Sequence, residues 1–304
     1  MDKAGARRLA QAVRAGDRRA LARAATMVEN RWHGWLALLE ALQSPQRRAK
    51  VVGITGSAGS GKSTLVSAVT TSLEAEGEQV AIIAVDPSSP LSGGAVLGDR
   101  VRMHALSSGS TFIRSLSTRG AMGGVCRAAR DMVDLFDAAG FGMVLVETVG
   151  VGQDEVDVMS LADEVLLVCN PGQGDGIQAI KAGVMEIADL FVVNKADQAG
   201  AARLVSQLHQ MLATRADPAR RGRPIFTTAA LTGQGVAALA DRLRLRAGIR
   251  RRQDQPAAER VAEVLRLLQP ELLRMLQQCP QLASQSSPAL VRQLLGAALP
   301  SSDR

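Results

Sequence analysis

One short string constrains this chain more than anything else in it. Gly56-Ser57-Ala58-Gly59-Ser60-Gly61-Lys62-Ser63-Thr64 fits G-x-x-x-x-G-K-[ST], the P-loop. Its glycines let backbone N–H groups wrap phosphate oxygens, where bulky side chains would stand in the way. The apolar run Val51–Thr55 precedes it, and helical spacing from Ser63 to about Leu73 follows it. Strand, loop and helix in that order direct the positive helix N-terminus at the same anions. The spacing predicts Lys62 at the β/γ-phosphates and the Ser63 hydroxyl on Mg²⁺.

The surroundings agree with that motif. Further β-rich runs occur at Val80–Asp86, Phe141–Glu147, Glu164–Asn170, Leu190–Asn194 and Pro224–Thr228. Their cores are almost continuously apolar, as strands covered on both faces require. Alternation with helical stretches predicts βαβ units. The expected class is α/β, a P-loop NTPase with a mostly parallel sheet flanked by helices. Helical extensions are expected at both ends, over 1–48 and 249–304, around a domain at 49–248. In the first, Leu9 and Val13 mark one helix and Gly16 breaks it. Asp17 can cap a second bearing Leu21, Ala24, Ala25 and Val28. Trp32, Trp35, Leu36 and Leu39 predict a third apolar set ending at Ser44-Pro45. In the last, Val261, Val264, Leu265, Leu268, Leu272, Leu273 and Leu276 repeat at helical spacing.

Composition excludes several classes. No apolar run nears the ~18 residues that span a bilayer, and nothing resembles a secretory leader. Three cysteines, Cys126, Cys169 and Cys279, are too scattered for a disulfide framework and read as small buried hydrophobes. The expectation is a cytoplasmic protein. Residues 1–50 carry 11 Lys/Arg against 4 Asp/Glu, 51–240 carry 14 against 19, and 241–304 carry 11 against 6. Basic flanks therefore enclose a mildly acidic middle. Nucleic acid is not the expected partner, because no Tyr, two Trp and five Phe supply no stacking platform.

Three carboxylates offer themselves for Mg²⁺ held beside phosphates. Asp86 and Glu147 close strand-like runs, and Asp99 lies in a Gly-rich stretch. Strand carboxyl ends are where sheets of this class do chemistry. A base-reading set comes later. In Asn194-Lys195-Ala196-Asp197 the Asp197 carboxylate can accept both the ring N–H and the exocyclic amine of guanine, a pair adenine does not present. Asn194 is read as holding the loop and the purine N7/O6 edge, and the Lys195 stem as covering the base face. A backbone N–H of Ala229-Ala230-Leu231, after another strand, would reach guanine O6.

Val146-Glu147-Thr148-Val149-Gly150-Val151-Gly152-Gln153 resembles the third GTPase motif of the methylmalonyl-CoA-mutase-associated GTPase chaperones, the MeaB/ArgK family. Val85-Asp86-Pro87-Ser88-Ser89-Pro90, running on through Gly93-Gly94 to Leu97-Gly98-Asp99-Arg100-Val101-Arg102-Met103, is similar to the same family. So is Gly16-Asp17-Arg18-Arg19-Ala20-Leu21-Ala22-Arg23-Ala24. The likeness covers residues 16 to about 240 well. It implies a GTPase that takes GTP/GDP with Mg²⁺ held among Ser63, Asp86, Asp99 and Glu147. It implies switches at Asp86–Met103 and Gly150–Val158, and a further one at Gly172–Gly183 with Lys181. It also implies a homodimer built through helical extensions. The implied partner is an adenosylcobalamin-dependent acyl-CoA mutase, methylmalonyl-CoA mutase or a relative, whose cofactor loading or protection GTP gates. This chain departs from the family's Ser-Ala-Leu at Ala229-Ala230-Leu231, and Ser115-Leu116-Ser117-Thr118-Arg119-Gly120 replaces a Ser/Pro/Gly-rich loop.

Hydrolysis at such a site is positioning and charge stabilisation, with Lys62, Asp99 and Glu147 the candidate catalytic groups. Gly150 is followed by Val151 rather than glutamine, so slow intrinsic turnover is expected. Two other readings compete. A nickel-delivery GTPase would want clustered His or Cys, yet His33, His104 and His209 are scattered. A transport-linked kinase should favour ATP, against which Asp197 argues.

Overall fold

The structure, a computed structural model, describes residues 1–43, 49–86, 111–117, 124–148, 159–171, 182–214 and 222–245, with scattered positions between 261 and 278. The side chains of 86, 117, 124–127 and 182–184 fall outside that description. Seven strands form one sheet: β1 (Lys50–Gly56), β2 (Val80–Asp86), β3 (Phe112–Ser117), β4 (Met143–Thr148), β5 (Glu164–Cys169), β6 (Leu190–Val193) and β7 (Ile225–Thr227). Their order is β3-β2-β4-β1-β5-β6-β7, and every pairing is parallel. Every residue of β1, β4, β5 and β6 is buried. That explains their unbroken Val/Ile/Leu runs, since a parallel sheet has helices on both faces.

Helices α4 (Lys62–Ala75) and α8 (Val236–Arg244) cover one face. Leu65, Val66, Val69 and Leu73 of α4, with Val236, Leu239, Ala240 and Leu243 of α8, pack there on Val52, Ile54, Ile82, Leu145 and Val168. Helices α6 (Ala182–Ile187) and α7 (Ala201–Ala213) cover the other, where Leu204, Leu208 and Leu212 meet Leu167, Phe191 and Val193. Each such side chain fully buried contributes about 1.5–3 kcal/mol. Phe112 pairs with Ala81 while its neighbour Ile113 lies on the α4 side. By strand alternation Phe112 therefore faces the opposite side. There it stacks with Phe136 of α5 (Gly124–Ala138) and Phe141, ring centroids 5.5 and 6.5 Å away.

Strand β3 has no counterpart among the runs read from the sequence. It is an edge strand whose pattern, Phe-Ile-Arg-Ser-Leu-Ser, interleaves polar residues with apolar ones. The N-terminal helix Arg18–Asn30 compensates: Arg114 Nε donates to Glu29 Oε2 at 2.9 Å, and Arg18 Nη2 donates to the Thr111 carbonyl at 2.7 Å. The other edge strand, β7, is only half-buried rather than covered on both faces.

The N-terminal layer comprises α1 (Lys3–Arg14), α2 (Arg18–Asn30) and α3 (Trp35–Leu42), with α2 and α3 packed on α5. As expected, Asp17 caps α2, accepting from the Arg19 and Ala20 amides at 2.8 and 3.1 Å, worth about 1 kcal/mol. The third apolar face differs from expectation. Arg31 (φ 51°) and Gly34 (φ 91°) adopt left-handed backbone, so α3 starts only at Trp35. It buries Trp35, Leu38, Leu39 and Leu42, which leaves Trp32 outside, 55% exposed.

Under the sheet, at the amino ends of β1 and β5, lies a buried ionic junction. Lys50, 1% exposed, donates to Glu164 Oε2 at 2.8 Å and to the carbonyls of Leu243 and Leu245 at 3.0 and 2.8 Å. Arg242 Nη2 reaches Glu164 Oε1 at 2.5 Å. The three ammonium protons thus meet three acceptors, tying β1 to β5 and to the C-terminus of α8.

The chain divides into two compact units, Met1–Gln253 and Asp254–Arg304, so α1–α3 belong with the sheet. In the second unit Val261, Val264, Leu265, Leu268 and Leu273 lie on helix and are between 53% and 61% exposed.

Candidate nucleotide site

Because all seven strands run parallel, their carboxyl ends meet at one edge, and the strand order reverses at β1. Ligands of open α/β sheets sit at that point. The P-loop leaves β1 there. A Cβ on Gly56 would lie 2.2 Å from the Val168 carbonyl oxygen, so the loop can run this close to β5 only as glycine. Gly61 (φ +88°) precedes α4, and a Cβ on it would meet Asn194 Nδ2 at 2.5 Å. Lys62 is buried and folds back over the loop, its Nζ donating to the carbonyls of Gly56 and Ser57 at 2.8 and 3.0 Å. The ammonium is thus held inside the cradle formed by residues 56–64.

Ser63 Oγ donates to Glu147 Oε1 at 2.6 Å, joining the first turn of α4 to the end of β4. Glu147 is buried, 7% exposed. A hydroxyl and a carboxylate so placed are hard oxygen donors, the kind Mg²⁺ takes, and the hydroxyl oxygen keeps its lone pairs because it is the donor here. These two residues fit the ion. The Asp86 side chain and Asp99 lie outside the described residues, as do the stretches read as switches at 87–103, 150–158 and 172–181.

The base-reading segments arrive beside the P-loop. Asn194 directly follows β6 and is 2% exposed. Its Nδ2 donates to the carbonyls of Ser60 and Gly61 at 3.0 and 3.4 Å, and its Oδ1 accepts from Thr228 Oγ1 and the Ala230 amide at 3.1 and 3.2 Å. An amide has two donors and one doubly accepting oxygen, so all four capacities are met. Asn194 is a strut between two loops. The loop-holding half of its expected role is visible, whereas the purine-edge half has no hydrogen-bonding group left to perform it.

Lys195 takes left-handed backbone (φ 57°) and spans back to the Gly59 carbonyl, Nζ to oxygen 2.9 Å, laying its stem along the pocket edge. Asp197 is exposed, in the turn closed by Gln198 N–H to Lys195 O at 2.9 Å. Of the last segment, the Ala229 amide is engaged by Gln234 O at 3.0 Å, Ala230 is buried against Asn194, and Leu231 is 91% exposed. The Ala230 amide is likewise taken, by Asn194 Oδ1, so among the described residues the Leu231 amide alone of the three has no acceptor. Thr228, fully buried, went unassigned in the sequence reading. Its amide donates to Val193 O, its carbonyl accepts from Ala196 N, and its hydroxyl reaches Asn194. The one hint was a threonine at a strand end directly before the O6-reading loop. Cys169, at the end of β5, is a buried hydrophobe as expected, and burial pushes its thiol up to about 12.

The fold agrees with that of known proteins. A structure titled LAO/AO transport system kinase superposes with a TM-score of 0.67 at 28% identity, covering 98% of this chain and 99% of that one. A Pyrococcus abyssi protein that carries a provisional GTPase name is 44% identical over 241 residues, 78% of this chain and 74% of its own length. GTPase ArgK of Escherichia coli is 45% identical over 190 residues, 61% of this chain and 57% of that one. The methylmalonic aciduria type A homolog of Caenorhabditis elegans is 39% identical over 212 residues, 64% and 53% of the two chains. The family model described as methylmalonyl Co-A mutase-associated GTPase MeaB matches residues 21–279. The chain belongs to the MeaB family and is a P-loop GTPase.

Proposed function

We propose that this protein is a GTP-hydrolysing chaperone that gates cofactor loading or protection of an adenosylcobalamin-dependent acyl-CoA mutase, methylmalonyl-CoA mutase or a relative. The family description and the C. elegans relative support the choice of partner. The observation that carries the nucleotide part is the Asn194 bridge, which holds the phosphate loop and the base-reading loops as one pocket.

In this reading the loop amides from Gly56 to Thr64 and the Lys62 ammonium hold the β/γ-phosphates, and Asp197 reads the ring N–H and amine of guanine. Lys195 covers the base with its stem, and of the segment Ala229-Ala230-Leu231 the Leu231 amide meets O6. Ser63 and Glu147, with Asp86 and Asp99, would hold Mg²⁺, which when bound neutralises developing phosphate charge. Glu147, held by Ser63, keeps its carboxylate oriented at that edge. With Val151 rather than glutamine after Gly150, intrinsic turnover is slow, and a partner or switch movement completes the site. The nucleotide states differ in the contacts of residues 86–103, 150–158 and 172–183 with the γ-phosphate, and the mutase binds them differently. The exposed leucines of the C-terminal extension bring two copies together as a homodimer.

Titration calorimetry tests the core of this. Tight, magnesium-dependent uptake of GTP and GDP, with ATP excluded, is the expected result; failure to bind guanine nucleotides overturns it. Copurification of an adenosylcobalamin enzyme with GTP-loaded but not GDP-loaded protein supports the partner. Recovery of nickel enzymes alone refutes it.

A further inference from the structure

Ion pairing is distributed unevenly over this molecule. In and beside the sheet, arginines have carboxylates: Arg114 with Glu29, Arg242 with Glu164 and Arg244 with Glu76. Five cations of the N-terminal layer differ. Lys3, Arg7 and Arg8 on α1 and Arg19 and Arg23 on α2 are exposed. They have no ion pair or side-chain hydrogen bond among the described residues. The reason is geometric. Helix α1 buries Ala6, Leu9, Ala10 and Val13 against its neighbours, so the intervening charged positions must point outward. Two of the nearby acids are engaged by backbone: Asp2 accepts the Gly5 amide at 2.8 Å and Asp17 caps α2.

Two clefts flank α1 where these charges gather. One, of about 360 Å³, is lined by Lys3, Arg7, Gln11, Arg14 and Glu40. The other, of about 520 Å³, is lined by Arg8, Arg19 and Arg23 together with Asp2 and Asp17. Beside the second, the loop carrying Trp32 packs on Met1, which accounts for the close approach of Gly34 to the Met1 carbonyl. Trp32 is 55% exposed and follows Arg31, whose guanidinium stacks 5.2 Å from the Trp35 ring.

We infer that the two-sided basic face of α1–α2 is a docking surface for a carboxylate-rich protein surface, that of the mutase partner. The inference rests on the proposed function for the partner's identity, but the face and its chemistry stand independently. Charge complementarity selects an acidic occupant. Arginine forks pair with carboxylates bidentately, and an exposed Trp among arginines is the composition of protein–protein hot spots. A phosphodiester chain is disfavoured, because among the described residues of this face Trp32 is the one exposed Trp, Phe or Tyr on which bases could stack. The layer is also fixed to the nucleotide sheet through Arg114–Glu29 and Arg18–Thr111, so a partner held here is held rigidly to the site's scaffold.

The test compares full-length wild type with R7E/R8E/R19E/R23E, none of which touches the nucleotide pocket. Two probes are titrated at low and physiological salt: the mutase holoenzyme and poly-L-glutamate. The expected result is that wild type binds both, that added salt weakens binding, and that the variant binds about tenfold or more weakly. Its GTP affinity and thermal midpoint stay unchanged. Equal, salt-independent binding of the mutase to both proteins overturns the inference and leaves the proposed function standing. Poly-L-glutamate binding lost in the variant, with no mutase binding by wild type, upholds the acidic-partner face and removes the mutase. Preference for a 20-base-pair duplex or for phosphatidylserine vesicles over both probes overturns it in favour of a polyanion.

Discussion

At the scale of single residues, the pocket depends on one amide. Replacing Asn194 with Ala removes four hydrogen bonds and leaves the buried Thr228 hydroxyl and Ala230 amide unpaired. We expect a loss of about 2–3 kcal/mol in chemical denaturation and weaker nucleotide binding in the same variant. Asp197→Asn should shift preference from GTP toward xanthosine triphosphate in competitive binding; an unchanged guanine preference would refute the base-reading role. Cys169 adds a pH dependence. Its thiol is pushed up to about 12 when folded, against 9.0 as an ordinary cysteine. The unfolded chain therefore loses this proton first, so its contribution is complete below about pH 9 and falls by up to about 1.4 kcal/mol per pH unit toward 12. Alkaline melts of Cys169→Ala should show a shallower decline. The motif around Asn194 was legible because its residue types and spacing are tied to chemistry. Its loop-holding role was legible too, but not the loops it joins, because Ser60 and Thr228 become its neighbours only when β1, β6 and β7 take their places in one sheet.

At the scale of elements, strands covered on both faces announce themselves, and those at an edge do not. β1, β4, β5 and β6 are continuous apolar runs, whereas β3 is half-buried over residues 112–115, mixes polar with apolar residues and reads as loop. Likewise the helix α2 and its cap were legible from Asp17 and the 3.6-residue period. The phase of α3 was misread because two left-handed residues, Arg31 and Gly34, reset the chain between them. The Lys50 junction carries no sequence signal, since a lysine before a strand ordinarily reads as solvated. Lys50→Met should cost about 3–5 kcal/mol, because the buried Glu164 carboxylate loses its buried cation and the Leu243 carbonyl its donor. Urea denaturation would measure it, and protease sensitivity beyond residue 245 should rise in the folded variant. Guanine-nucleotide affinity should be unaffected.

At the scale of the whole molecule, the exposed apolar row at Val261, Val264, Leu265 and Leu268 bears on assembly. Light scattering should give wild type twice the 32.0 kDa chain mass, and Leu265→Glu with Leu268→Glu should return the single-chain value. The parallel sheet has a further consequence. Its chemistry lies at the carboxyl ends of the strands, while Lys50 grips the chain's departure from α8 at the amino ends. Seven residues of β1 separate the two, roughly 20 Å of extended backbone. The foot and the head of one strand thus do separate work, and a change at the lysine can loosen the end of α8 while leaving the triphosphate cradle as it stands.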